Sequence, residues 1–236
     1  MYHKVTPDPR SGGLGLRVSP EKFAAQMRYL REHGYTVVSL DDAAAFLKGV
    51  KSLPPKPVVI TFDDGYRDNY LYALPILAEY GYPATIYLVA HAVGRYNFFD
   101  ADRGVQPRNE MLTWEEIREM RAKGITFGAH TLDHPHLTRI SPEEARRQIA
   151  GAKKFLEEKL GCPVEHFSYP YGGFNSRVAA IVAAAGYKTA VTSRQGVNYP
   201  GANPFTLKRI RVTGKYSLQR FAHELDRYIK GTADDV

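Results

Sequence analysis

A chain of 236 residues with 44% hydrophobic and 24% charged side chains is long enough to bury a sizeable core and too apolar to be a disordered polymer. Lys and Arg outnumber Asp and Glu by 32 to 25, a formal charge of +7, which favours anionic surroundings; no Lys/Arg-rich run interleaved with aromatics accompanies it, so nucleic acid is not an expected partner. A single cysteine, Cys162, excludes an internal disulfide, no apolar run reaches the roughly 18 residues of a membrane span, and no signal peptide is visible, although the abrupt opening Met1-Tyr2-His3-Lys4-Val5 is compatible with removal of an export segment.

The elements alternate along the chain. Residues 2–5 read as a short strand. Ser19-Pro20 opens a helix with Phe23, Met27 and Leu30 on one face, stopped by Gly34. A strand over 35–40 follows, then a short helix capped by Asp41 or Asp42 and ending at Gly49. The continuous apolar run 57–62 predicts a strand buried on both faces. Tyr70, Leu74 and Leu77 give helical spacing over 66–80, with Pro75 as a candidate kink. A strand over 84–89 leads into the long, weakly patterned stretch 91–112, a candidate lid or binding wall. Thr113 and Glu116 form a capping box for a helix over 114–123. Strand 125–129, a helix from Ser141-Pro142 to Gly161, strand 166–169, an Ala-rich helix over 176–185, and strands 187–191 and 207–212 complete the series. Ser217 caps a last helix to Lys230, and 231–236 is the one tail with little ordering signal. Cys162, between Gly161 and Pro163, reads as a structural thiol in a turn. This alternation predicts an α/β fold with a parallel sheet and crossover helices. About eight strands suit a closed or nearly closed β/α barrel, with residues 1–236 as a single domain. There is no dinucleotide or phosphate-loop fingerprint.

Three clusters fall where strands end, which in a β/α barrel is the active face. Thr61-Phe62-Asp63-Asp64-Gly65 puts two adjacent carboxylates there. They repel each other unless a cation or proton intervenes, and Gly65 permits the sharp turn that lets both face one site. By itself the pair could equally be a helix cap and a solvated acid. His130-Thr131-Leu132-Asp133-His134 brings two imidazoles within reach of one ion, and Pro135 disfavours a helix, so this is not a helical zinc-protease motif. His136 is a second candidate ligand at a less suitable spacing. Asp64, His130 and His134 together make a three-ligand set with an open position, the pattern of a catalytic zinc-type site; cobalt, nickel and iron accept the same donors. Asp63 is left free to act as a base. Tyr169-Pro170-Tyr171-Gly172-Gly173 is a turn whose backbone N–H groups could hold an oxyanion.

The ordered set of these three motifs resembles the polysaccharide deacetylases, the NodB-type carbohydrate esterases of family 4. The resemblance implies a distorted (β/α) barrel of about seven to eight parallel strands. It makes Asp63 the general base, Asp64, His130 and His134 the ligands of one divalent metal ion, and the Tyr171 N–H an oxyanion donor. It also implies an N-acetylated polysaccharide or oligosaccharide as substrate, and an extracellular or cell-envelope location. Two departures stand out. Ser168 occupies the position where many members carry an arginine that orients the catalytic Asp, and the stretch Leu207-Lys208-Arg209-Ile210-Arg211-Val212 lacks the usual acid-bearing histidine. Arg209 is the candidate replacement for the missing arginine. Tyr2-His3 resembles the N-terminal motif of the poly-β-1,6-N-acetylglucosamine deacetylases, so His3 is the candidate acid, held protonated by the nearby carboxylates. The expected activity is therefore hydrolysis of an N-acetyl group. The rivals are a non-catalytic carbohydrate-binding barrel and an amidohydrolase of a small nitrogenous metabolite.

Overall fold

The computed structural model describes residues 1–229, so the expected helix end at Lys230 and the tail 231–236 lie outside the described residues. The strands are β1 (Lys4–Val5), β2 (Arg17–Val18), β3 (Thr36–Val37), β4 (Pro57–Val58), β5 (Thr61–Phe62), β6 (Ala84–Leu88), β7 (Ile125–Ala129), β8 (His166–Ser168) and β9 (Thr189–Val191). The helices are α1 (Pro20–Glu32), α2 (Leu40–Leu47), α3 (Leu74–Tyr80), α4 (Phe98–Ala101), α5 (Trp114–Ala122), α6 (Pro142–Leu160), α7 (Ser176–Ala184) and α8 (Leu218–Ile229).

Strands β5 to β9 form one parallel sheet in sequential order, with helices in every crossover, as parallel pairing requires. The sheet curls into a half-barrel of five strands rather than the seven to eight expected. The missing strands are present as segments that touch the sheet at single bridges: Tyr2 pairs with Phe62 at one edge and Leu207 with Val191 at the other. Successive N–H groups of 207–212 bond to different partners: Leu207 to the Ala190 carbonyl (3.0 Å), Arg209 to Arg194 (2.9 Å) and Val212 to Met1 (2.9 Å). A segment that changes partner every two or three residues spans the gap between edges without building a ladder. The run 57–62 divides for the same reason. Val58 pairs with Val37, whereas Thr61 and Phe62 pair with Thr85 and Ile86.

Register across the sheet aligns Phe62, Ile86 and Phe127 in one row. All three are buried, as are Phe167 and the Phe23, Met27 and Leu30 face of α1; each such side chain contributes roughly 1.5–3 kcal/mol when fully buried. The capping box of Thr113 and Glu116 is formed at both bonds. Helix α2 is capped by Ser39, not by Asp41 or Asp42: the Ser39 hydroxyl accepts from the Asp42 N–H at 3.0 Å. Before Pro75 the chain makes a π-helical turn over Asn69–Ala73, which accommodates a residue without an N–H donor. The stretch 91–112 folds back on itself, with α4 near its middle and antiparallel bridges Tyr66–Met111 and Tyr96–Glu110. No helix among the described residues is long and apolar enough to cross a membrane.

Candidate active site

The C-terminal ends of β5, β7 and β8 carry the three clusters to one pocket of about 250 Å3. His3, Asp63, Asp64, His130, His134, Tyr171 and Arg209 all line it. A larger cavity of about 520 Å3 on the other side of Met1 and Arg209 is mostly apolar and shares none of the clustered carboxylates or imidazoles; the chemistry lies in the smaller one.

Asp64, His130 and His134 are all buried, and one ligand atom from each lies within 4.8 Å of the others. The two Nε2 atoms are 3.1 Å apart, and each is 3.4 Å from Asp64 Oδ1. Ligand atoms placed tetrahedrally at zinc distances would be about 3.3 Å apart. His130 Nδ1 donates to the Ser168 carbonyl at 2.7 Å, which leaves its Nε2 turned into the cluster, the usual arrangement of a metal-ligating histidine. Burial, then the neighbouring His130, pushes His134 down to about 3, so it presents a lone pair. Burial opposes charge on His130 as well, yet the bond to Asp64 and the charges of Asp63 and Asp64 outweigh it and raise His130. The cluster thus favours one positive charge at its centre, and a divalent cation fits it. His136 is not part of it; its ring stacks on Tyr171 at 3.9 Å.

The loop that supplies both histidines is pinned from α6. Gln148 Oε1 accepts the N–H groups of Leu132 (3.1 Å) and Asp133 (2.9 Å), and its Nε2 donates to Asp133 Oδ2 (2.7 Å). Backbone strain is concentrated here. Lys56, Asp64, Thr131, His134 and Tyr171 are the five non-glycine residues of positive φ among those described, and all but Lys56 belong to the three motif segments. Such residues persist only where their surroundings over-determine them. Gly65, at φ +83, has no such option: an added Cβ would lie 2.7 Å from Leu88 Cδ2.

Asp63 is buried beside this cluster and held by Arg209 in a two-pronged ion pair, Nη1 to Oδ1 at 2.7 Å and Nη2 to Oδ2 at 2.6 Å. Arg209 is itself fixed by donating Nε–H to the Thr192 carbonyl at 2.9 Å. Ser168 stands between the two, 3.3 Å from Asp63 Oδ1 and 3.2 Å from Arg209 Nη2. Burial alone would raise Asp63; the Arg209 guanidinium overrides it and holds the carboxyl below the usual range.

His3 faces the same pocket, and its Nδ1 is buried without a hydrogen-bond partner. The charges of Asp64 and Asp63 pull His3 up, as expected, but burial opposes them and lowers it on balance. Two residues that the motifs did not single out anchor it. Asn69 Nδ2 donates to the His3 carbonyl (2.9 Å), and Asp68 Oδ1 accepts the Val5 N–H (2.9 Å). They close the segment that begins with the two motif aspartates, and a polar pair inside a run read as helix was the available signal.

Burial, against the Val5 N–H and Lys4, pushes Asp68 up to about 7. A carboxyl raised in the fold favours its neutral form, so its contribution to stability is present below the unfolded value and lost as pH rises through 7. Asp68→Asn keeps the acceptor and removes the ionisation. Urea unfolding should therefore show the variant gaining about 2–3 kcal/mol on wild type between pH 5 and pH 8; a pH-independent difference would mean that Asp68 is ionised in the fold.

The polysaccharide deacetylase family model matches residues 50–190, more than half of the chain and all three motifs. The chain belongs to the polysaccharide deacetylase family. It is 32% identical to YxkH of Bacillus subtilis (strain 168) over 213 residues, covering 90% of this chain and 70% of that one. It is 26% identical to the poly-β-1,6-N-acetyl-D-glucosamine N-deacetylase of Staphylococcus aureus (strain MRSA252), covering 89% and 71%. Among solved structures, IcaB from Ammonifex degensii superposes with a TM-score of 0.82 at 30% identity, over 95% of this chain and 94% of that one. The Streptococcus pyogenes deacetylase PplD, in complex with acetate, gives 0.81 at 27%, over 95% and 96%. Within this polysaccharide deacetylase Arg209, which comes from beyond the matched region, pairs with Asp63 beside Ser168, and His3 faces the same pocket.

Proposed function

We propose that this chain is a metal-dependent N-deacetylase of a polymer containing N-acetylglucosamine, acting as one catalytic domain. The observation that carries the reading is the convergence of the Asp64, His130 and His134 donors with the Arg209-bound Asp63 in one pocket. Relatives named for removing acetyl groups from poly-β-1,6-N-acetylglucosamine support the polymer class, and zinc is the first choice of metal for one carboxylate and two imidazoles. A divalent cation held there would supply Lewis acidity to an acetyl carbonyl and acidify a water molecule.

The chain's own groups do the rest. Asp63, kept ionised and aimed by the Arg209 fork, accepts the proton of the attacking water. The Tyr171 backbone, set at φ 58, offers an N–H to the developing oxyanion. His3 passes a proton to the departing amine. Its depressed pKa makes the imidazolium a strong acid but a scarce one at neutral pH. The Tyr171 ring, 43% exposed at the rim and backed by His136, offers a stacking face for a sugar. For the place of action we favour the cell envelope, where such polymers lie.

The test is mass spectrometry of products from β-1,6-linked N-acetylglucosamine oligomers, with chitin and peptidoglycan fragments in parallel. Loss of acetyl groups that is abolished by a chelator and restored by zinc is the expected result. Oligomers left intact by zinc-loaded protein would overturn the reading in favour of a carbohydrate-binding barrel.

A further inference from the structure

Asp100 has no assigned part in the chemistry above, and the hydrogen bond between its carboxyl and the Tyr171 side chain accounts for only one of its two oxygens. It lies on α4, within the stretch 91–112, and lines the same pocket as His3 and the Asp64 cluster. The residue is 6% exposed, and its Oδ1 is buried without a hydrogen-bond partner. Its backbone already does the structural work: the Asp100 N–H donates to Asn97 (3.1 Å), and its carbonyl accepts from Val105 (2.9 Å). Lys4, the cation whose charge bears most on Asp100, donates instead to the Ser11 carbonyl (2.6 Å) and lies over the Tyr66 ring.

The support beneath Asp100 is rigid. Asn97 is fully buried and ties both arms of the stretch together, donating to the Pro107 carbonyl (3.0 Å) and accepting from the Asn109 N–H (2.7 Å). The adjacent Phe99 ring packs 4.6 Å from the ring of His134. A buried carboxylate with an unmet acceptor destabilises a fold and calls for an explanation. Here it is held firmly at the wall of a pocket that a polyhydroxylated substrate would enter.

We propose that Asp100 is a substrate-recognition residue whose free carboxylate oxygen accepts a hydrogen bond from a hydroxyl of the acetamido sugar, selecting sugar amides over simple acetyl compounds. This rests on the function proposed above. A site built to bond a substrate hydroxyl rejects analogues lacking it more strongly than an apolar pocket can, because the acceptor is then left unpaired.

The experiment compares wild type with Asp100→Ala and Asp100→Asn, all zinc-loaded. The probes are a β-1,6-linked N-acetylglucosamine pentasaccharide and 4-methylumbelliferyl acetate, which has no sugar. Asp100→Ala should lower kcat/KM on the pentasaccharide about 10–100-fold and weaken its Kd by calorimetry, with aryl acetate hydrolysis unchanged within about threefold. Asp100→Asn, which keeps a carbonyl acceptor, should recover most of the loss. Equal losses on both probes, or an unaltered Kd, would overturn the proposal. If wild type binds the pentasaccharide without deacetylating it, the functional reading fails while the Asp100 contact is still read from Kd. A wild type that does not bind it overturns both.

Discussion

Asp63→Asn should reduce turnover by at least the 10²–10⁴-fold that a positioned general base supplies, with zinc content by elemental analysis unchanged. The side chain keeps its shape, so the test isolates the proton acceptor. Asp63 is not one of the three clustered donor residues; its two oxygens are engaged by the two Arg209 nitrogens. The amide of Asn can accept from one of these but not both, so the buried guanidinium loses half its partner. Removing one member of a buried pair typically destabilises by about 3–5 kcal/mol, and the isosteric amide should keep part of that. Thermal unfolding run beside the assay separates the two effects. A variant that remains folded at assay temperature and keeps zinc, yet has lost turnover, identifies the base. A folded variant that has lost zinc would show that Asp63 and Asp64 exchange roles.

His3→Ala should keep its metal and lose about 10²–10⁴-fold in kcat, with a much smaller change in KM, since acid catalysis acts on the departing group in the transition state. The usual expectation for a histidine so near a chain start is a frayed, solvated group. Here its carbonyl is bound by Asn69, the next residue's side chain is fully buried, and the imidazole lines the pocket. The backbone bonds that place it do not involve the ring, so the substitution should leave the segment in position. An unchanged kcat would return the acid role to another group, and loss of zinc would show His3 acting as a ligand.

Much of this site was legible because three of its parts are local. Asp63-Asp64-Gly65, the His130–His134 spacing and the Tyr171 turn each fit within five residues, and each follows a strand, so strand-end logic sufficed to bring them together. Arg209 was reachable by elimination, since a late segment had to neighbour the N-terminal one. The rest depended on distant packing. Asp68 and Asn69 act on a backbone more than sixty positions away, and Asp100 sits in a stretch whose weak pattern hides a folded wall. The half-barrel misled in the opposite direction. The segments 57–62 and 207–212 read as strands, but pairing is a property of two segments, and these change partners along their length. At His3 the neighbouring carboxylates can be guessed from a motif, while the burial that opposes them cannot.

The left-handed backbone at Asp64, Thr131, His134 and Tyr171 also makes an adversary of stability and activity. Each such residue forgoes roughly 1–2 kcal/mol relative to a relaxed conformation. At Tyr171 the side chain reaches the rim, so a glycine there would relieve that strain while deleting the ring that backs the pocket. At His134 and Asp64 no relief exists that keeps the donor. Selection for thermal robustness alone should therefore drift first toward glycine or asparagine at Tyr171, and a stabilised variant found that way is expected to be a poorer enzyme.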